Sequence, residues 1–124
     1  MKPPETKPLP KPLVWIGDSL ERVRSFPPAV REEIGFALYQ AQIGDKHISA
    51  KPLTGFGPGV LEVISDHRGN TFRAVYTVRL ASKVYVLHAF QKKSKSGIAT
   101  PKTEMDLVKQ RLRRAIELHA AQEN

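Results

Sequence analysis

An α+β domain, with helices packed on one side of a mostly antiparallel twisted sheet, is what the sequence predicts. Three observations predict it. The chain has 124 residues, the length of one domain with room for a single core. Apolar residues recur at helical spacing near both ends, whereas residues 60–91 alternate with a period of two. Short turns separate the alternating segments, which makes them neighbours in an antiparallel meander. The element order is β-α-α-β-β-β-α, an arrangement of helices against a sheet.

Residues 1–12 hold five prolines among charged residues and read as a flexible, polyproline-like tail. The domain proper spans 13–121, and 122–124 form a short tail. Leu-Val-Trp-Ile at 13–16, closed by Gly17, reads as the first strand. Asp18 is placed to cap a short helix over Ser-Leu-Glu-Arg-Val-Arg-Ser-Phe, because its carboxylate can accept from the free N–H groups of the first turn. Pro27 and Pro28 stop that helix, and proline suits the first turn of the next. A second helix follows from Pro28 to Ile43. Val30, Ile34, Ala37, Leu38 and Ala41 form its apolar stripe, and Gly44 suits its C-terminal position.

After the loop segments Lys-Pro-Leu-Thr-Gly at 51–55 and Gly-Pro-Gly at 57–59, three strands are predicted at 60–65, 71–80 and 83–91. Arg68, Gly69 and Asn70 form one turn, and Ala81 with Ser82 another. A last helix runs from Pro101 to Ala121, with Met105, Val108, Leu112, Ala115, Ile116 and His119 facing inward and Lys109, Arg113 and Arg114 elsewhere. No apolar run is long enough for a membrane span, and the N-terminus lacks the apolar region of a secretory signal. Absence of cysteine excludes disulfides, thiolate metal sites and a cysteine nucleophile, and fits a cytoplasmic protein.

The formal charge is +8, and residues 46–95 carry nine basic side chains against two acidic ones. A field of that sign attracts phosphate backbones or acidic proteins. In the middle strand Phe72, Ala74, Tyr76, Val78 and Leu80 point toward the helices, which leaves Arg73, Val75, Thr77 and Arg79 on the open face. His88, Phe90 and Lys92 share a face of the next strand, and Lys93 continues a basic run to Lys95. Arginine, lysine and histidine together suit metal-independent RNA cleavage. The 2′-OH attacks the adjacent phosphate, guanidinium and ammonium groups stabilise its charge, and a titratable group moves the proton. His47, His67, His88 and His119 lack metal-site spacing. No metal or cofactor is indicated, and no P-loop, dinucleotide fingerprint or nucleophile elbow is present.

Lys-Pro-Leu-Thr-Gly at 51–55, Val-Leu-Glu-Val at 60–63, Phe-Arg-Ala-Val-Tyr at 72–76 and Val-Tyr-Val-Leu-His-Ala-Phe-Gln-Lys-Lys-Ser at 84–94 occur in an order that resembles the RelE/ParE toxin superfamily. The similarity is greatest to its HigB-like, phage-protein-related branch and spans about residues 13–118. The resemblance implies a RelE-like fold and the toxin of a type II toxin–antitoxin system, an endoribonuclease that enters the ribosomal A site and cuts messenger RNA there. It places Arg73 at the family's phosphate-binding arginine, Lys92 and Lys93 near the scissile phosphate, and Lys51 in an RNA-contacting region. Arg68, Arg79 and Lys95 complete the candidate RNA-binding set. The family's proton-transfer group varies and lies near the end of the last strand or beyond it. Here His88 is the candidate, since the nearest carboxylates after Phe90 are Glu104 and Asp106. The implied partners are the ribosome, messenger RNA and a small helix-turn-helix antitoxin. Two alternatives remain: a ParE-like toxin that inhibits DNA gyrase by protein contact, and a non-catalytic RNA-binding module. The basic face argues against the first, and the 7% aromatic content argues against the second.

Overall fold

In the computed structural model, which describes residues 9–92 and 100–123, the period-two stretches form the centre of a five-stranded sheet. The strands are β1 (Leu13–Trp15), β2 (Ala50–Pro52), β3 (Val60–His67), β4 (Asn70–Thr77) and β5 (Val84–Lys92). Helices α1 (Ser19–Arg24) and α2 (Pro28–Gln42) follow β1, and α3 (Lys102–Glu123) follows β5. The sheet order is β1-β5-β4-β3-β2, with β1 parallel to β5 and every other pairing antiparallel. The predicted α+β class and mostly antiparallel sheet therefore hold.

The β3–β4 hairpin is closed by two residues, Arg68 and Gly69, with φ of 50° and 81°, the left-handed pair that matches the twist of the strands. Asn70, expected in the turn, instead pairs with His67. Two further expectations are corrected. β2 lies where a loop was expected, and its three residues are too short to show a period; Pro52 is tolerated because the strand is at the edge. β4 stops at Thr77, not Leu80. The Thr77 hydroxyl donates to the Gly59 carbonyl (2.8 Å) and accepts from the Arg79 N–H (3.1 Å), which draws the chain out of the ladder.

Alternation along the strands builds two apolar layers. Val63, Ala74, Tyr76, Val86 and Ala89 pack with Val23, Phe26, Ile34 and Leu38 of the α1–α2 region. These are the helices on the expected side. Val60, Val75, Tyr85 and Leu87 face the other way and pack against Val108, Leu112 and Ala115 of α3. The face expected to be open is thus largely roofed by α3, because the helix stripe and the outward valines bury each other. Ile116 of the predicted stripe remains exposed, while His119 meets the Tyr85 hydroxyl at 3.0 Å.

Candidate functional site

The site forms where β5 outruns its neighbour. β1 pairs only with Val84–Val86. Beyond that point α1 closes against β5, tied by the Ser19 hydroxyl to the Val86 carbonyl at 3.2 Å. At the same place the β4–β5 ladder slips: Val75 opposes His88 while Tyr76 opposes Val86, leaving Leu87 as the extra residue of a β-bulge. The bulge reverses the parity of β5. Tyr85 and Leu87 face α3 before it, and His88, Phe90 and Lys92 share that face after it, opposite Val75, Arg73 and Thr71.

His88 is fully buried and both ring nitrogens are engaged. Nδ1 lies 2.9 Å from Nη1 of Arg111, and Nε2 contacts Oε2 of Glu104. Arginine has only donors, so Nδ1 must accept and Nε2 must carry the proton it gives to Glu104. Phe90 stacks on the ring with centroids 5.4 Å apart. Arg111 also donates to the Leu87 carbonyl (3.2 Å) and to Oδ1 of Asp18 (2.7 Å). Its guanidinium lies against Gly17, where a Cβ would come within 2.9 Å of the guanidinium carbon. Asp18 makes no cap hydrogen bond, contrary to expectation. Its carboxylate is taken by Arg22 Nε (2.9 Å) and Arg111, and these partners hold its pKa down at about 2 against a smaller opposing effect of burial.

Burial lowers the pKa of His88 below its usual 6.5, and Glu104 restores only part of the shift. A folded pKa below the unfolded one means that the unfolded chain takes up the proton first. The stability that neutral His88 contributes is therefore present above 6.5 and lost as pH falls below it. The melting temperature should fall between about pH 7 and 5.5, and His88→Gln should flatten that slope. An identical slope in the variant would show that His88 does not titrate with folding.

Arg73 is only 4% exposed, which corrects the expectation of a solvated residue on an open face. Its Nη1 donates to Oε1 of Glu62 (3.0 Å) and to the Thr100 hydroxyl (3.2 Å), and that hydroxyl donates to Oε2 of Glu62 (2.9 Å). Arg73, His88 and Lys92 are thus brought to one face, and exposed Arg68 lies at the same end of the hairpin. Arg79 is not part of it. It is exposed beyond the opposite end of β4, donating to the Phe56 carbonyl at 3.3 Å. Lys51 is exposed on edge strand β2, three strands from β5, roughly 14 Å away at strand spacing. Lys93 and Lys95 lie outside the described residues.

A cleft of about 930 Å³ opens beside this cluster, between α1, the ends of β4 and β5, and the first turn of α3. Its volume is near the upper end of the roughly 300–1,000 Å³ of small-ligand sites. Asp18, Glu21 and Glu104 contribute carboxylates, and Arg22 and Lys92 contribute cations. Charge there is mixed, not uniformly basic. Sequence reasoning missed Arg111 and Glu62, and did not select Glu104. Arg111 could have been found, because it falls seven residues after Glu104 and between Val108 and Ala115 on the buried stripe of α3.

The phage-derived Gp49-like protein family (DUF891) matches residues 21–113. The chain belongs to this family. Among solved structures, a double arginine-to-alanine mutant of the Escherichia coli toxin RelE in the free state resembles this Gp49-like protein, with a TM-score of 0.57 at 16% identity. The match covers 86% of this chain and 98% of that one. A chain of the toxin–antitoxin complex RelBE2 from Mycobacterium tuberculosis matches with a TM-score of 0.47 at 15% identity, over 73% of this chain and 100% of that one. No curated protein sequence matches. The resemblance to RelE-type toxins read from the sequence stands, and the fold is RelE-like.

Proposed function

We propose that this Gp49-like protein is the toxin of a type II toxin–antitoxin pair and cuts messenger RNA on the ribosome, in the cytoplasm, under the control of a helix-turn-helix antitoxin. The observation that carries the reading is the cleft at the end of β5. It is lined by a cation, Lys92, 8% exposed, and by a carboxylate, Glu104, that is backed by a buried histidine. In-line attack by a 2′-OH needs a proton acceptor, a charge to meet the phosphorane oxygens, and a proton for the leaving 5′-oxygen. No metal is needed for any of these steps. Lys92 supplies charge near the phosphate, and Arg22 and Arg68 guide the RNA backbone. Lys93 and Lys95 are assigned to the same task by their place in the sequence. His88 remains in the site, behind Glu104.

A second reading, a ParE-like inhibitor that contacts DNA gyrase, is favoured by one observation: Arg73 is engaged by Glu62 and Thr100 instead of being presented to a phosphate. Expression of the chain alone in bacteria separates the two. Growth arrest with rapid loss of messenger and intact DNA is the expected result. Arrest with double-strand breaks and stable messenger would put the gyrase reading first.

A further inference from the structure

The group expected to move the proton, His88, has no nitrogen with which to do so. Nδ1 accepts from Arg111, a residue that cannot accept in return, and Nε2 already carries the proton directed at Glu104. The ring is fully buried. Glu104, by contrast, has a side chain 24% exposed and lines the cleft. Only one of its oxygens, Oε2, is bonded to His88.

We propose that Glu104 is the catalytic proton acceptor of this site and that His88 is the residue that positions it, an inference that rests on the RNA-cleavage reading. The chain of contacts behind Glu104 fixes its geometry from the backbone outward. Arg111 is anchored by the Leu87 carbonyl and Asp18, its guanidinium lies against Gly17, and it sets the tautomer of His88. His88 in turn holds Oε2, and Glu104, part-exposed, lines the cleft. Such locking is what a proton acceptor requires, because its free oxygen must be poised before substrate arrives.

The reaction balances without a further reagent. The 2′-oxygen forms a bond to phosphorus as its proton passes to Oε1 of Glu104. The P–O5′ bond breaks, leaving a 2′,3′-cyclic phosphate, and the 5′-oxygen takes a proton from the Lys92 ammonium. Transfer from protonated Glu104 to neutral Lys92 through solvent restores both groups. Among the described residues, the charged and titratable groups that share the cleft with Glu104 are Lys92 from β5 and Asp18, Glu21 and Arg22 from the α1 side, with His88 bonded to Glu104 and Arg111 of its own helix behind His88.

The test is single-turnover cleavage of messenger on programmed ribosomes, measured against pH for the purified protein and its variants. Glu104→Gln should lower the rate by about 10²–10⁴-fold. Asp106→Asn, at an exposed carboxylate of the same helix turned to Lys102, should cleave like the unaltered protein. His88→Gln, which keeps an N–H donor at similar reach, should retain most activity, whereas the similarly sized His88→Leu should lose it with folding intact. In the folded protein the imidazole proton should be found on Nε2 by nitrogen NMR. Unaltered cleavage by Glu104→Gln, equal effects of His88→Gln and His88→Leu, or a proton on Nδ1 would each overturn the proposal while leaving the nuclease reading in place. Failure of the unaltered protein to cut on ribosomes would overturn both.

Discussion

Replacing Arg73 with alanine should destabilise the fold by about 3–5 kcal/mol, the usual cost of removing one partner from a buried ion pair. For a domain of this size that lowers the melting temperature by roughly 10–20 °C. The cause is Glu62. Its side chain is 2% exposed, and Arg73 and Thr100 supply its hydrogen bonds. Without the guanidinium, a carboxylate stays buried in the sheet with one hydroxyl for company. The pair itself need not stabilise the fold relative to an apolar core, since desolvating two charges offsets much of their attraction. Arg73→Met combined with Glu62→Leu should therefore recover most of the loss. Thermal melts of the single and double variants decide the matter. A shift of less than about 3 °C for Arg73→Ala, the ordinary size for a surface site, would show that the arginine is solvated and available to RNA.

The sheet was largely legible in the sequence because its signals are local. Period-two alternation located the three long strands, and the apolar stripe from Val30 to Ala41 located α2. The polar site was harder to read because it depends on register. A three-residue turn at 68–70 leaves the pairing of β3 and β4 undetermined. The two-residue turn that forms puts Glu62 opposite Val75 and diagonal to Arg73, close enough for two long side chains to meet. Recognising Arg68-Gly69 as that turn would have exposed the ion pair. The bulge at Leu87 has no comparable local signal. It makes both faces of β5 look apolar, since Val84 and Val86 continue on the same face as Ala89. Asp18 shows the limit of motif reasoning from the other direction. Its position suits an N-cap, but two guanidinium groups compete for the carboxylate, and one comes from a helix 93 residues away in the chain. Charge counting erred in a similar way, because the total of +8 does not reveal that three carboxylates line the cleft.

Cleavage should depend on the ribosome, and this is the second large effect expected. Among the described residues the cleft holds one carboxylate backed by histidine and two cations, Arg22 and Lys92, with Arg73 already committed to Glu62. An acid–base group of this kind contributes about 10²–10⁴-fold, well short of the acceleration that enzymes commonly reach. Holding the 2′-OH in line with its phosphate can contribute more, with effective molarities of about 10⁵–10⁸ M. The decoding centre grips the messenger and can supply that alignment, whereas free RNA must find it by chance. The deciding measurement compares one end-labelled messenger, free and bound in the A site of purified ribosomes, incubated with the same protein in the same buffer. A single cut within the A-site codon, ending in a 2′,3′-cyclic phosphate and at least about 10³-fold faster than any cut in free RNA, is the expected result. Equal cleavage of free and bound messenger would make the protein a self-sufficient nuclease. An intact messenger on the ribosome would contradict the account altogether.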